Sequence, residues 1–329
     1  MPQFIACSNA NNWSKYAYKN NYIGFHIVLN SKIKTAIKLL ISSFLLTNSA
    51  QSIAEDEVYL ATLKQDKVTQ VINISKRIGY DNQPHFTPDS QAVLYSAMFV
   101  EGINDSAQTD SMRFDISTGV TTNLTKSTAS EYSPTVMLNG EDFSVIYVGD
   151  DGRQRFSSYP LAGGKATSLV TQLDKNFADI GYHVWLNTSE LLMFVLAEPM
   201  QLQRVNLSTG KSDIIDTDIG RTLRKVPNSK LFSYNKAVGQ QWQMQLFDPE
   251  NNKTQQSVTL PKDNMYYAWH VDGRLISAIG AKLVINSVQA SDSKWQDWHD
   301  VTSYCSGSVT RLTMSADSQY LAFVCNTPD

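Results

Sequence analysis

Short runs of alternating or continuous apolar residues, each preceded by a tight-turn sequence, recur along the chain. Residues 84–97, PHFTPDSQAVLYSA, show the unit: an aromatic residue at Phe86, a turn at residues 88–90, and then the apolar run AVLYSA. Asp, Asn, Gly and Ser at such turns provide the backbone angles and side-chain hydrogen bonds that a hairpin needs. The apolar runs are typical of half-buried or buried strands. The unit therefore predicts a β-hairpin.

This unit occurs six times. Its turn residues are spaced 40 to 50 residues apart, and they are Asp89, Asn139, Thr188, Asn228, Asp272 and Asp317. The first four units are followed by a second hairpin, around the turn sequences STG, AGG, STG and DPENN. Four strands in a period of this length indicate a blade of a β-propeller. A β-sandwich or a solenoid of unrelated hairpins is the alternative.

The two ends of the repeat region complement each other. Residues 57–75 form an outer hairpin with no inner hairpin before it, and the last unit is an inner hairpin with no outer one after it. Together they complete a sixth blade. The sequence thus predicts one domain over residues 55–329. It is an all-β, six-bladed β-propeller of four-stranded antiparallel blades, closed by N-terminal strands that complete the C-terminal blade.

Residues 1–54 are interpreted as an N-terminal extension and a signal peptide. Three lysines between residues 32 and 38 precede the apolar run 39–46, and Ser52 and Ala54 are small residues suited to cleavage near Ala54. The run is shorter than the roughly 20 residues of a membrane span. We therefore expect a periplasmic or secreted protein with no membrane span in its mature form. An amphipathic or buried helix is the alternative.

Composition and cysteine content narrow the class of protein. The chain is 42% hydrophobic and 18% charged, which suits a packed globular core. Its formal net charge of −3 gives no overall positive field for nucleic acid. After cleavage Cys305 and Cys325 remain, and an even pair in an exported chain predicts one disulfide. Their spacing suits neighbouring strands of one sheet, and two buried free thiols are the alternative.

The segments PHFTPDS, MLNGEDF and MSADSQYLAF resemble repeats of the WD40-like (PD40) propellers. This family includes the periplasmic TolB propeller and the N-terminal domains of dipeptidyl-peptidase-type serine peptidases. The resemblance covers nearly all of the chain after the signal and implies the propeller fold, but one propeller scaffold serves many functions. The segments LNTSELL and VPNSKLF depart from the repeat. The sequence contains no Gly-x-Ser-x-Gly elbow, which excludes a complete serine peptidase.

Candidate binding residues lie in the segments that join the outer strand of one blade to the inner strand of the next. Such segments meet near the axis, and five residues in them stand out as candidates for a small-ligand site: Asp81, Glu131, His183, Arg221 and Tyr267. Structural roles are the alternative. The carboxylates would then bond loop amides, His183 would pack between blades, and Arg221 would pair with Asp218 or Asp179.

We find no cofactor motif and no metal-ligand spacing, so we expect neither a cofactor nor a metal. The leading hypothesis is an exported, monomeric, non-enzymatic binding module for an envelope protein, peptide or small ligand, with no role in nucleic-acid binding. The competing hypothesis is a propeller lyase or hydrolase acting on a glycan or peptide. It would use His183 as general base and Arg221 as electrostatic stabiliser. A structural partner of a membrane complex is a third hypothesis.

Overall fold

The computed structural model describes residues 55–77, 79–99, 108–169, 177–288 and 294–327. In these residues the chain forms 24 β-strands in six four-stranded antiparallel sheets, which are the blades of a propeller. This confirms the predicted fold class. The predicted signal peptide lies outside the described residues.

The first half of the chain supplies two closing strands and the first three blades. The closing strands are β1 (Glu55–Lys64) and β2 (Lys67–Asn73). Blade 1 contains β3 (Asp81–Phe86), β4 (Ala92–Phe99), β5 (Gln108–Asp115) and β6 (Thr121–Asn123). Blade 2 contains β7 (Ser130–Val136), β8 (Asp142–Val148), β9 (Gln154–Pro160) and β10 (Thr167–Ser168). Blade 3 contains β11 (Ile180–Trp185), β12 (Glu190–Val195), β13 (Gln201–Asn206) and β14 (Ser212–Thr217).

The second half supplies the remaining blades. Blade 4 contains β15 (Ile219–Lys225), β16 (Phe232–Val238), β17 (Gln241–Asp248) and β18 (Lys253–Thr259). Blade 5 contains β19 (Ala268–Trp269), β20 (Leu275–Ile279), β21 (Lys282–Asn286) and β22 (Gln296–Asp300). Blade 6 has the order β2-β1-β24-β23, with β23 (Ser308–Met314) innermost and β24 (Tyr320–Thr327) paired to β1.

Blade 6 closes the ring as the sequence predicts. The pairing of β1 with β24 runs from Glu55 opposite Thr327 to Thr62 opposite Tyr320. A disulfide joins Cys305 to Cys325, with 5.5 Å between their Cα atoms, which confirms the predicted bond. The expectation that both cysteines lie in strands is wrong for Cys305, which lies in the turn before β23. The disulfide therefore links the segment between blades 5 and 6 to β24, the strand that pairs with β1.

The described core is divided among the interfaces between blades. Six clusters of buried apolar residues are found, one between each pair of neighbouring blades. Fully buried aromatic rings in them include Phe156, Phe247 and Phe323. Burial of each such side chain stabilises the fold by about 1.5–3 kcal/mol. Each blade thus depends on both neighbours, which is why the ring must close.

Two tryptophans pack between blades and bond to the neighbouring blade. Trp185 of blade 3 donates from Nε1 to Ser144 Oγ of blade 2 at 3.0 Å. Trp269 of blade 5 donates in the same way to Ser233 Oγ of blade 4 at 2.9 Å. Burying an indole is favourable when its N–H finds a partner, and these two bonds join adjacent blades.

Among the described residues, no helix has the length and apolar character needed to cross a membrane.

Candidate functional site

The inner strands deviate from regular pairing near the axis, and this positions the site. In β3 the register shifts between Asn82 and His85, and in β7 it shifts between Tyr132 and Thr135. The residues between these positions do not pair with the neighbouring strand. The first unpaired residue in each strand has a left-handed backbone, with φ of 60° at Gln83 and 55° at Ser133. Such bulges re-aim side chains. A proline follows each, as expected where a strand donates no ladder bond.

Corresponding shifts occur in β11, β15 and β23. In β15 the irregular residues include Gly220, where an added Cβ would lie 2.3 Å from the side chain of Asn235. That close approach lets Asn235 Oδ1 accept a hydrogen bond from the Thr222 amide at 3.0 Å. In β23 the shift lies between Val309 and Leu312 and takes Arg311 out of the ladder. Arg221 and Arg311 are thereby presented at the centre.

The displaced residues and their neighbours line one central cavity of about 60 Å³. Every blade contributes to it. The lining residues are Gln83, Pro84 and His85 of β3, residues 133–135 of β7, Tyr182 and His183 of β11, residues 221–224 of β15, Tyr266 and Tyr267 before β19, and Arg311 and Leu312 of β23. A cavity of this size holds a few water molecules or one small polar group.

Three of the five candidate residues from the sequence line this cavity: His183, Arg221 and Tyr267. Asp81 and Glu131 do not line it, and both are fully buried. The structure therefore brings three candidates together and places two elsewhere.

The two carboxylates have internal partners. Asp81 Oδ1 accepts a hydrogen bond from Arg77 Nη2 at 2.7 Å, and burial raises the pKa of Asp81 to about 6 although Arg77 opposes the shift. Glu131 Oε1 accepts from Ser127 Oγ at 2.5 Å and from Tyr159 at 2.7 Å, and burial likewise raises its pKa. These contacts favour the structural reading of both residues.

His183 belongs partly to the interface between blades 2 and 3. Its Nε2 lies 2.7 Å from Ser144 Oγ, and its ring packs edge-on against Phe156 with 4.6 Å between centroids. Burial, together with His85, lowers the pKa of His183 to about 3. Burial and Arg224 lower the pKa of His85 to about 4. Both imidazoles are therefore neutral at pH 7.

The charge of the cavity comes from three arginines, Arg221, Arg224 and Arg311, and no Asp or Glu is among its described lining residues. Arg224 Nη2 donates to the Leu312 carbonyl at 2.7 Å, and burial lowers its pKa. Asp179, one suggested partner of Arg221, pairs instead with Arg153 at 2.7 Å. Within the described chain neither Arg224 nor Arg311 forms an ion pair.

Sequence reasoning missed four lining residues that can contact a ligand: His85, Tyr182, Arg224 and Arg311. The last three lie in segments that join one blade to the next, in the sequences DIGYHVW, DIGRTLRK and CSGSVTR. One sequence feature could have indicated the bulges of the inner strands. In DNQP and EYSP a proline follows an acidic residue by three positions, and a proline inside a strand marks a bulge.

Among the described residues, no group of three or more His, Cys, Asp and Glu side chains is placed to hold a metal ion.

Known structures share the fold at low sequence identity. A TolB from Agrobacterium tumefaciens matches with a TM-score of 0.62 and 10% identity, over 84% of this chain and 100% of that one. The propeller of a nidogen/laminin complex matches with a TM-score of 0.58 and 11% identity, over 79% of this chain and 98% of that one. An oligogalacturonate lyase in complex with manganese matches with a TM-score of 0.52 and 13% identity, over 79% of this chain and 80% of that one. No protein-family model and no curated protein matches the sequence. The chain is a six-bladed β-propeller with a cationic central cavity.

Proposed function

We propose that the protein is an exported, non-enzymatic binding propeller that holds a protein, peptide or small ligand of the cell envelope at its central cavity. The main support is the cavity itself, which gathers residues from every blade and carries three arginines with no carboxylate among its described lining residues. A fold shared with TolB and with a propeller solved in a nidogen/laminin complex is compatible with a binding role. The disulfide suits an oxidising compartment.

The competing hypothesis, a lyase or hydrolase, has weaker support. A general base works best with a pKa near the working pH. The pKa of His183 is lowered to about 3, and its Nε2 is occupied by Ser144. No carboxylate among the described lining residues could take its place. The fold shared with an oligogalacturonate lyase keeps this hypothesis testable.

Ligand retention tests the proposal. The full chain, expressed with an affinity tag in a bacterial host, is purified from the envelope fraction after exposure to envelope extract. Molecules that co-purify are released by denaturation and identified by mass spectrometry. Arg224→Ala removes one cavity charge, and Arg155→Ala is the matched control because Arg155 is exposed and pairs with Asp151 outside the cavity.

We expect the wild type and Arg155→Ala to retain the same molecule, Arg224→Ala to lose it, and the molecule to remain chemically unchanged during incubation. Recovery of a cleaved product would instead support the enzyme. Equal retention by all three proteins, or no retention by any, would contradict binding at the cavity. The mass of the purified wild type tests export, because we expect the first 54 or so residues to be missing.

A further inference from the structure

We infer that the ligand group received by the central cavity is a carboxylate, inserted end-on between Arg224 and Arg311. This inference rests on the proposed function and specifies its ligand. It starts from Arg224, which is half-buried, has a buried Nε without a hydrogen-bond partner and forms no ion pair in the described chain. A charge that is partly withdrawn from water is stabilised by an opposite charge beside it. An anion in the cavity would supply the missing partner.

Arg311 is held in place before any ligand arrives. Its guanidinium lies over the ring of Tyr266 at 4.9 Å and over that of Tyr182 at 5.3 Å. Its Nη1 donates to Asn82 Oδ1 at 2.9 Å, and its Nη2 donates to the hydroxyl of Tyr182. A guanidinium has five N–H donors, so these bonds leave donors for a ligand. Because its orientation is already fixed, binding loses little side-chain entropy.

A second layer of contacts fixes the residue that orients Arg311. Asn82 Nδ2 donates to Asp56 Oδ2 at 2.8 Å, so its Oδ1 is turned towards Arg311. Asp56 Oδ1 accepts in turn from Asn326 Nδ2 at 2.7 Å. Asp56 lies in β1 and Asn326 in β24, so the closing strands of the ring help to position a cavity arginine. Asp56 and Asn82 are therefore positioning residues.

Residues that line the cavity also carry buried polar atoms with no hydrogen-bond partner within the described chain. They are His183 Nδ1, Ser133 Oγ, Arg224 Nε and the Tyr267 hydroxyl oxygen. His183 is only 7% exposed, and an orphaned buried polar atom is unfavourable. If Ser144 donates its hydroxyl hydrogen bond to His183 Nε2, the single N–H of the neutral imidazole is on Nδ1, which is then a donor. All four atoms can act as donors, so an oxyanion that reached them would supply the acceptor that each lacks.

Size and shape favour a carboxylate over a larger anion. The cavity of about 60 Å³ accommodates a three-atom group but not a nucleotide or a whole sugar. A carboxylate is planar and accepts two parallel bonds from a guanidinium in the same plane. Tyr182 and Tyr266 cover the guanidinium of Arg311, so a flat partner fits between their rings better than a tetrahedral one. The rest of the ligand then extends out of the cavity.

Calorimetric titration of the exported protein tests this. One pair of probes is a tripeptide with a free C-terminal carboxylate and the same tripeptide as its C-terminal amide. The other pair is glucuronate and its neutral counterpart glucose, and inorganic phosphate is the fifth probe. We expect at least one free acid to bind at least tenfold more tightly than its neutral partner and than phosphate. The pair that binds identifies the source as a peptide end or a sugar acid.

Variants connect the binding to the named residues. We expect Arg224→Ala and Arg311→Lys to weaken binding of the acid at least tenfold, the latter because lysine keeps the charge but loses the two-pronged geometry. Asp56→Asn should weaken it less, about threefold, through the orientation of Asn82. Arg155→Ala should bind as the wild type does. Thermal melting of each variant shows whether the fold is intact, and Arg224→Lys replaces Arg224→Ala if that variant is unfolded.

The inference is wrong if phosphate binds as tightly as the acids, if neutral probes bind equally well, or if no acid binds at millimolar concentration. It is also wrong if folded arginine variants bind the acid normally. A neutral molecule recovered from envelope extract and lost in Arg224→Ala would overturn the carboxylate while leaving the proposed function intact. Failure of both experiments would overturn both.

Discussion

Among single residues, Asp81 makes the stability of the fold depend on pH. It is fully buried, and burial raises its pKa from 3.8 to about 6 against the effect of Arg77. Because the pKa of Asp81 is higher in the folded state than in the unfolded state, the folded state binds more protons between pH 3.8 and about 6. The free energy of unfolding therefore rises as the pH falls through 6. From pH 7 to 4.5, the free energy of unfolding of the wild type should rise by roughly 2 kcal/mol relative to Asp81→Asn.

Urea unfolding of both proteins across that pH range measures the effect. Asp89→Asn serves as a control that should show almost no change over that range. Hydrogen bonds from Thr87 and from the Gln91 amide lower the pKa of Asp89 from 3.8, so the wild type should lose stability relative to Asp89→Asn only when the pH falls below that value. If the difference between the wild type and Asp81→Asn did not change with pH, Asp81 would be charged in the folded state throughout, contrary to the expectation.

The same residues show which parts of the site a sequence can predict. The segments that meet at the axis follow from counting hairpins, so His183, Arg221 and Tyr267 could be placed near the cavity. The direction of an individual side chain could not. Arg224 and Arg311 read as ordinary strand residues under strict alternation. In the structure Arg311 lies within the shifted part of β23, and Arg224 pairs with Ser233 just after the shift in β15. Asp81 and Glu131 turn into the blades because Arg77, Ser127 and Tyr159 bind them there.

Between structural elements, one serine hydroxyl joins blades 2 and 3. Ser144 Oγ accepts from Trp185 Nε1 at 3.0 Å and lies 2.7 Å from His183 Nε2. Ser144→Ala leaves both ring nitrogens buried without this partner. An unsatisfied buried donor or acceptor costs about 1–3 kcal/mol, so we expect a loss of about 2–4 kcal/mol in the free energy of unfolding.

Ser233→Ala is the matched comparison, because Ser233 accepts the equivalent bond from Trp269 at 2.9 Å but has no histidine bonded to it in the described chain. Chemical unfolding should show a smaller loss for Ser233→Ala than for Ser144→Ala. An equal or larger loss for Ser233→Ala would show that the bond to His183 contributes nothing to the interface.

For the whole molecule, closure of the ring could be predicted because the repeat pattern leaves an outer hairpin at one end and an inner hairpin at the other. The structure adds the physical reason. Val58 and Leu60 of β1 are buried in the cluster between blades 6 and 1, beside Ala322 and Val324 of β24. Without β1, that interface loses its apolar side chains and β24 exposes an unpaired edge. The closing strand β1 is therefore part of the hydrophobic core.

Two rearranged chains test this dependence. Glu55 lies directly opposite Thr327, so a two-residue Asn-Gly turn can join them, and new ends can be opened at the exposed turn between Gly163 and Gly164. This permutant, refolded under oxidising conditions, should unfold cooperatively with at least the stability of residues 55–327. Deletion of residues 55–74 should abolish cooperative unfolding, because each missing buried side chain removes about 1.5–3 kcal/mol from a net stability of about 5–15 kcal/mol. A deleted chain that still unfolded cooperatively near the original midpoint would show that five complete blades hold together without closure.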